Sequence, residues 1–289
     1  MSEVHIMTDS IASLTQETAA AHNISIIPAA HIVYGDKLYP DGIGLTAAQA
    51  YEYINRDPDK FSTTTLSPSD FTGYYKEASR KSNNIVHLGF SSALSGTYKL
   101  AVIAAQEFCK ATPGVNVQVI DSKTAACPLG LLAITASKAA ASGMDIDGVI
   151  DVINRARPKT GGIMMLDTLR YVYRTGRMSK TAARLVSMLN IKPINIIKDD
   201  GTLELVERTR KREDGYIKII EYIKRETGTN ALNFIVAHGD APQMGERMCE
   251  LLRQNFDCLS LAMTEYSPIM GYSSGPGCIF VGYQPELDF

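Results

Sequence analysis

The run Asn84-Ile85-Val86-His87-Leu88-Gly89-Phe90-Ser91-Ser92-Ala93-Leu94-Ser95-Gly96-Thr97-Tyr98 passes from a β-rich apolar segment into hydroxyls and a glycine. A helical pattern then takes over at Leu100, Ala101, Ile103, Ala104 and Phe108. A strand that ends in small hydroxyl residues and feeds a helix N-terminus gathers orphan backbone N–H groups and side-chain donors around one point, which suits an anion. No Gly-Lys-Ser/Thr follows and G-x-G-x-x-G is absent, so the run is neither a phosphate loop nor a dinucleotide fingerprint. Helix capping by Ser92 or Ser95 explains the same residues without a ligand.

A second hydroxyl cluster, Ser62-Thr63-Thr64-Thr65, precedes Ser67-Pro68-Ser69-Asp70. The latter reads as an N-cap, a proline at the first helical position and an acid at the third. Thr63, Thr64 and Thr65 lie upstream of that cap and are not needed for it. Two such junctions in one open sheet are expected along one edge, beyond the carboxyl ends of the strands. Gly271-Tyr272-Ser273-Ser274-Gly275-Pro276-Gly277 reads as a third hydroxyl- and glycine-rich loop, and a plain connection would explain it equally well.

Around these loops the first half alternates strand and helix signals. Val4 to Met7 is a strand ending at Thr8-Asp9-Ser10, and Ser13 to Gln16 reads as a capping box opening a helix. Ile24 to Pro28 is a second strand, and His31 to Tyr39 a hairpin. A capping box at Thr46 to Gln49 starts another helix. Val115 to Ile120 is a strand, and the Ala-rich segment 125–141 a helix. This rhythm predicts a doubly wound, mainly parallel sheet. The second half mixes hairpins with helices, including an Asp200-Gly201 turn between Asn190–Ile197 and Thr202–Val206, and predicts an α+β domain with a largely antiparallel sheet. The boundary is expected near Arg157-Pro158-Lys159, giving domains 1–158 and 159–289.

With 289 residues, 45% hydrophobic and 21% charged, the chain has the balance of a globular protein with ample core. A net charge of −2 supplies no general attraction to nucleic acid or anionic lipid, so neither is an expected partner. The N-terminal residues lack a basic n-region and an apolar h-region, and no apolar run approaches a membrane span, so a cytoplasmic protein without an integral membrane segment is expected. Five cysteines without a C-x-x-C pair read as reduced thiols.

A hydrolase needs a nucleophile with a base. The five histidines (His5, His22, His31, His87, His238) stand apart, without H-E-x-x-H or metal-ligand spacing. His5 and His87 alternate within apolar strands, as satisfied core residues do. Asp9 and Asp121 end strands beside serines and read as acceptors of backbone N–H bonds, and Asp199-Asp200 as a solvated turn. No metal, cofactor or catalytic residue is therefore expected. Ser95 and Cys127 are the nucleophiles an esterase or thioesterase would have to use, and a binding module for another small anion is the third reading. The basic run Arg208-Thr209-Arg210-Lys211-Arg212 is a solvated face or a dock for an acidic partner.

Taken together the motifs resemble the DegV family, bacterial fatty-acid-binding proteins that include the lipid-carrying subunits of fatty acid kinase. The resemblance runs nearly end to end. It rests on Thr8-Asp9-Ser10, Ser91-Ser92-Ala-Leu94-Ser95-Gly96-Thr97-Tyr98, Asp121-Ser122-Lys123, Arg174-Thr-Gly176-Arg177-Met-Ser179, Ile191-Lys192-Pro193-Ile194 and Gly275-Pro276-Gly277. It implies two α/β domains with a long-chain fatty acid buried between them and presented to an ATP-dependent kinase for acyl-phosphate formation. The carboxylate positions it implies are Thr63, with Thr64 beside it, and Ser95; Ser92, from the hydroxyl run itself, and Ser273, at the position of a frequent family histidine, are expected to join them, and Arg210 matches a contact to the kinase. Three departures stand out. Thr65-Leu66 replace a Gln-Pro, Ser273 stands in place of a frequent histidine, and Ala126 stands where a serine often follows Asp-Ser-Lys. Neutral hydroxyls suffice for a buried carboxylate through charge-assisted bonds. The tail would supply most of the affinity, at roughly 0.8 kcal/mol per buried methylene.

Overall fold

The computed structural model describes residues 4–176 and 191–288. Three motif residues of the resemblance, Arg177, Met178 and Ser179, and the strand start expected at Asn190 lie outside them.

Four strands, β1 (Val4–Asp9), β2 (Ile24–Ile27), β6 (Asn84–Gly89) and β7 (Asn116–Asp121), form an all-parallel sheet in the order β2-β1-β6-β7. Both faces are covered, as a parallel sheet requires. Along β1, Ile6 packs toward one apolar layer and Met7 toward the other. The Met7 side is filled by α3 (Pro68–Ser79) and α4 (Thr97–Ala111), through Phe71, Tyr75, Ala101 and Phe108. The Ile6 side is filled by α5 (Ala126–Ala141) and α6 (Ile146–Ala156).

Six further strands form the second sheet: β8 (Gly161–Met165), β9 (Lys192–Ile197), β10 (Leu203–Thr209), β11 (Ala231–His238), β12 (Asp257–Glu265) and β13 (Ile279–Pro285), in the order β10-β9-β8-β13-β11-β12. All pairs are antiparallel except β11 with β12. Its outer face carries α8 (Arg212–Thr227) and α9 (Pro242–Asn255), which α7 (Arg170–Arg174) precedes in the chain.

Helix α5 joins the two halves. Thirteen of its 16 residues are buried, as expected of a helix that is apolar all round. It packs on β1 and β2 on one side and on β8, β11 and β13 on the other. Contact with β13 is so close that a Cβ on Gly282 would stand 2.6 Å from Cys127 Cβ and 2.8 Å from the Pro128 nitrogen.

Three local expectations change. The cluster at 62–65 does not end a strand of the parallel sheet. Its residues lie in and just after β5 (Phe61–Thr64), which pairs antiparallel with β3 (His31–Tyr34) in a separate sheet, β4-β3-β5, with β4 at Lys37–Pro40. Phe61 anchors this sheet against Tyr51 and Ile54 of α2 (Ala47–Arg56), a core invisible to a strand-by-strand reading. Helix α1 (Gln16–Ala21) is capped by Thr15, whose Oγ1 accepts the Thr18 N–H at 3.0 Å, while Ser13 sits in a left-handed turn at φ +54°. Finally, the first half of the 271–277 loop is helix α10 (Pro268–Ser274), with proline at its first position and Gly275 ending it at φ +79°. The capping box at Thr46–Gln49 forms as read, and Ser67 caps α3 with Pro68 at its first position as read, its Asp70 closing a capping box as well.

Candidate functional site: a hydroxyl-rimmed apolar cavity

Beyond the C-terminal ends of β1 and β6, where the two sheets and the small sheet meet, lies a cavity of about 170 Å³. Its walls are apolar: Ile11, Leu94, Met164, Ile197, Ile269 and Phe280 come from six different segments. Its polar lining consists of hydroxyls, from Thr63, Thr64, Thr65, Ser95, Thr97, Tyr272, Ser273, Ser274 and Thr175. Among the described residues the lining contains no Lys, Arg, His, Asp or Glu.

Each hydroxyl is placed by local structure. Thr63 stands opposite Ile32 and Thr64 opposite His31 in the β3–β5 ladder, at the last two positions of β5. Thr63 is half-buried and Thr64 exposed, and among the described residues no side-chain hydrogen bond engages either hydroxyl. Ser67, two residues after Thr65, is occupied by capping α3 through the Asp70 N–H. Ser95 lies in the turn before α4. Its N–H donates to the Ser91 carbonyl at 3.2 Å, and its Oγ accepts the Thr97 N–H at 3.2 Å and lies 2.9 Å from Thr97 Oγ1. Ser95 thus takes the first N–H of α4 from just outside the helix, whose N-cap is Gly96, and lines the cavity. Ser273 arrives from α10, one turn past Met270, to whose carbonyl its hydroxyl donates at 3.0 Å.

Ser92 does not join them. Its hydroxyl donates to Asp121 Oδ2 at 2.6 Å and its N–H to Asp121 Oδ1 at 3.2 Å, and it does not line the cavity. The pair ties the loop after β6 to the end of β7, so Asp121 takes the acceptor role read for it. Asp9 does likewise, accepting the Phe90 N–H at 2.7 Å. Ser10 is also occupied: it donates to Asp41 and accepts the Ala29 N–H at 2.9 Å. Arg210 is exposed in the turn between β10 and α8, away from the cavity lining.

The residues a reaction would need are elsewhere. His87 is fully buried between Tyr75 and Asp9, and His5 contacts Ser25 while burial pushes its imidazole down to about 4. Cys127 is buried against β13, donates to the Phe280 carbonyl at 3.3 Å, and has its thiol pushed up to about 12 by burial. Ser95 has Thr97 beside it and no imidazole or carboxylate among the lining residues. Among the described residues no three His, Cys, Asp or Glu are placed to share a metal, and no helix is long and apolar enough to cross a membrane. Asp199 and Asp200 are exposed at the hairpin tip, where Asp200 accepts from Thr202.

Several residues of the site escaped the sequence reading. Thr97 stood within the quoted run but reads as helix. Ser274 is buried in α10, and Ile197, Leu203 and Phe280 come from strands whose alternation shows an apolar face without saying what it covers. Asp41 lies behind the wall: it is fully buried, accepts the Ile269 N–H at 3.0 Å, and so seats the first turn of α10.

Comparison with known proteins places this geometry. A family model described as an uncharacterised protein of the DegV family matches residues 3–286. A DegV domain-containing protein of Caldanaerobacter subterraneus is 26% identical over 99% of this chain and 100% of its own. The structure superposes with a TM-score of 0.89 on a DegV family protein of Thermus thermophilus described by its fatty acid binding, at 23% identity, covering 98% of this chain and 100% of that one. DegV of Bacillus subtilis, described as a fatty acid binding protein, gives 0.88 at 20% identity, covering 99% and 100%.

Proposed function

The chain belongs to the DegV family, and from that premise we propose that it binds a long-chain fatty acid between domains 1–158 and 159–289. The carboxylate sits at Thr63, Thr64 and Ser95, with Ser273 contributing from α10. The observation that carries the reading is the convergence of these four hydroxyls, from three separate segments, on one apolar cavity that has no charged lining residue among the described residues.

The chemistry follows from that lining. A carboxylate brought into an apolar site unpaired would lose several kcal/mol of solvation or take up a proton. Hydroxyl donors that make charge-assisted bonds remove the penalty, each about twice as strong as a neutral pair. Hydroxyl donors hold the headgroup through hydrogen bonds, and the Arg174 guanidinium, stacked 4.8 Å from the ring centre of the lining residue Tyr272, is the cation placed beside them. The protein then acts as a carrier, in the cytoplasm, and a fatty acid kinase supplies ATP and the catalytic groups. Arg210, exposed on the β10–α8 turn, is the basic contact offered to that partner.

Denaturing mass spectrometry of lipid extracted from purified protein tests the carrier reading. The expected result is a stoichiometric C16–C18 acid, with added oleate raising the melting temperature of delipidated protein. Protein that carries no acid and is not stabilised by any would refute it.

A further inference from the structure

Ser91 opens the hydroxyl run yet does not line the cavity. It is fully buried, and its Oγ–H donates to the carbonyl of Gly201, 110 residues on, at 2.8 Å. Gly201 ends the tip of the β9–β10 hairpin with φ +83°, and it is packed so closely that a Cβ there would stand 2.2 Å from Ser91 Oγ and 3.3 Å from Lys123 Cα. The tip therefore seats in the notch between the loops that follow β6 and β7. Among the described residues this is the one hydrogen bond from the tip, Lys198–Thr202, to the parallel-sheet part of the molecule.

Beyond its pairing with β8 the hairpin meets the core through Ile197 and Leu203. Pairing of β9 with β8 ends at Ile196. From there the chain runs on as a two-stranded finger closed on itself by the Lys198 N–H to Thr202 carbonyl bond of 2.9 Å. One side of the finger, at Ile197 and Leu203, is a wall of the apolar cavity. Ile196 to Asp200 also border an open cleft of about 800 Å³, whose far side is Tyr222, Glu226 and Tyr283. The finger thus stands between the cavity and that open cleft.

We infer that the β9–β10 finger is a door of the cavity and that the Ser91–Gly201 hydrogen bond is its latch, so that this pair sets how fast a lipid enters and leaves. The inference rests on the fatty-acid reading of the cavity. The lipid touches neither latch atom, so releasing the latch changes passage without changing what holds the ligand once the door has closed. Entry and exit quicken together. A residue that holds the headgroup behaves differently: its loss quickens exit alone.

Stopped-flow fluorescence with cis-parinaric acid, a C18 polyene fatty acid, separates the two. Wild type, Ser91→Ala, Gly201→Ala and the clasp variant Thr63→Val are mixed with probe for association and chased with excess oleate for dissociation. Both latch variants are expected to raise association and dissociation rates alike, by about five-fold for the loss of one buried hydrogen bond, with Kd held within about two-fold. Thr63→Val is expected to raise dissociation only. Two latch variants guard against one failing to fold, and far-UV circular dichroism checks both. Unchanged rates in a folded latch variant, or faster dissociation with a matching loss of affinity, overturn the door. If wild type binds no probe, the fatty-acid reading itself falls, an outcome distinct from a bound probe with an unaltered rate.

Discussion

Asp41 Oδ1 accepts the backbone N–H of Ile269 at 3.0 Å across 228 residues of chain, while its other oxygen takes the Ser10 hydroxyl. One buried carboxylate thus pins three pieces that wall the cavity: the end of β1, the exit of the β3–β4 hairpin and the first turn of α10, which brings Tyr272 and Ser273.

Burial pushes the Asp41 carboxyl up to about 6, only partly offset by its hydrogen bonds to Ser10 and Ile269. The folded protein therefore holds this proton more tightly than the unfolded chain. The group's contribution to stability is fully present below about pH 4 and is lost as pH rises through about 6. Asp41→Asn removes the titration. Urea unfolding at intervals from acid to neutral pH should show wild type losing on the order of 2–3 kcal/mol relative to the variant across that window. A difference independent of pH contradicts the assignment.

Thr63→Val is close to isosteric and deletes a hydroxyl that makes no other side-chain bond among the described residues. It should leave the melting temperature of ligand-free protein unchanged and weaken fatty-acid binding about ten- to a hundred-fold, the loss of one hydrogen bond to a charged group. Ser95→Ala should cost similar affinity and also lower thermal stability, because it removes the acceptor of the Thr97 N–H. Fluorescence displacement and differential scanning fluorimetry read the two effects separately.

Burial pushes the thiols of Cys127 and Cys278 up to about 12. Thiolate, not thiol, reacts, so both should resist iodoacetamide at pH 8 in the folded protein and react fully in urea. Rapid native alkylation of Cys127, with loss of an acyl-ester hydrolysis activity in Cys127→Ala, would restore the enzyme reading.

Gly282 is where β13 touches α5, and the atoms its Cβ would meet are backbone atoms and the Cys127 Cβ, which cannot swing aside. Gly282→Ala should destabilise the protein by about 1–3 kcal/mol or more. Because α5 packs on both sheets, the loss should appear in one cooperative unfolding transition. Separate melting of the two halves would show that α5 does not couple them.

The alternating units of the first half were legible because strand and helix periods, caps and the hydroxyl stops all agree locally. The Asp200-Gly201 hairpin was legible for the same reason. The origin of Thr63 and Thr64 was not. A four-residue strand carries too little pattern to announce its partner, and only the Phe61 anchor against α2 reveals a third sheet. Helix α10 reads as a loop because the group that seats its first turn, Asp41, is far away in sequence. Ser92 illustrates the converse: the residue type suits an anion, and the anion it meets is the chain's own Asp121. The Thr63, Ser95 and Ser273 positions came from family resemblance, and the fold brings all three to one cavity.

The most direct test of the clasp is an electron-density map of the protein crystallised with oleate. An acyl chain is expected to fill the cavity, with one carboxylate oxygen within about 3.2 Å of Thr63 Oγ1 and a carboxylate oxygen within the same distance of Ser95 Oγ. A chain bound with its carboxylate away from both hydroxyls, or a cavity that stays empty at saturating oleate, would contradict it.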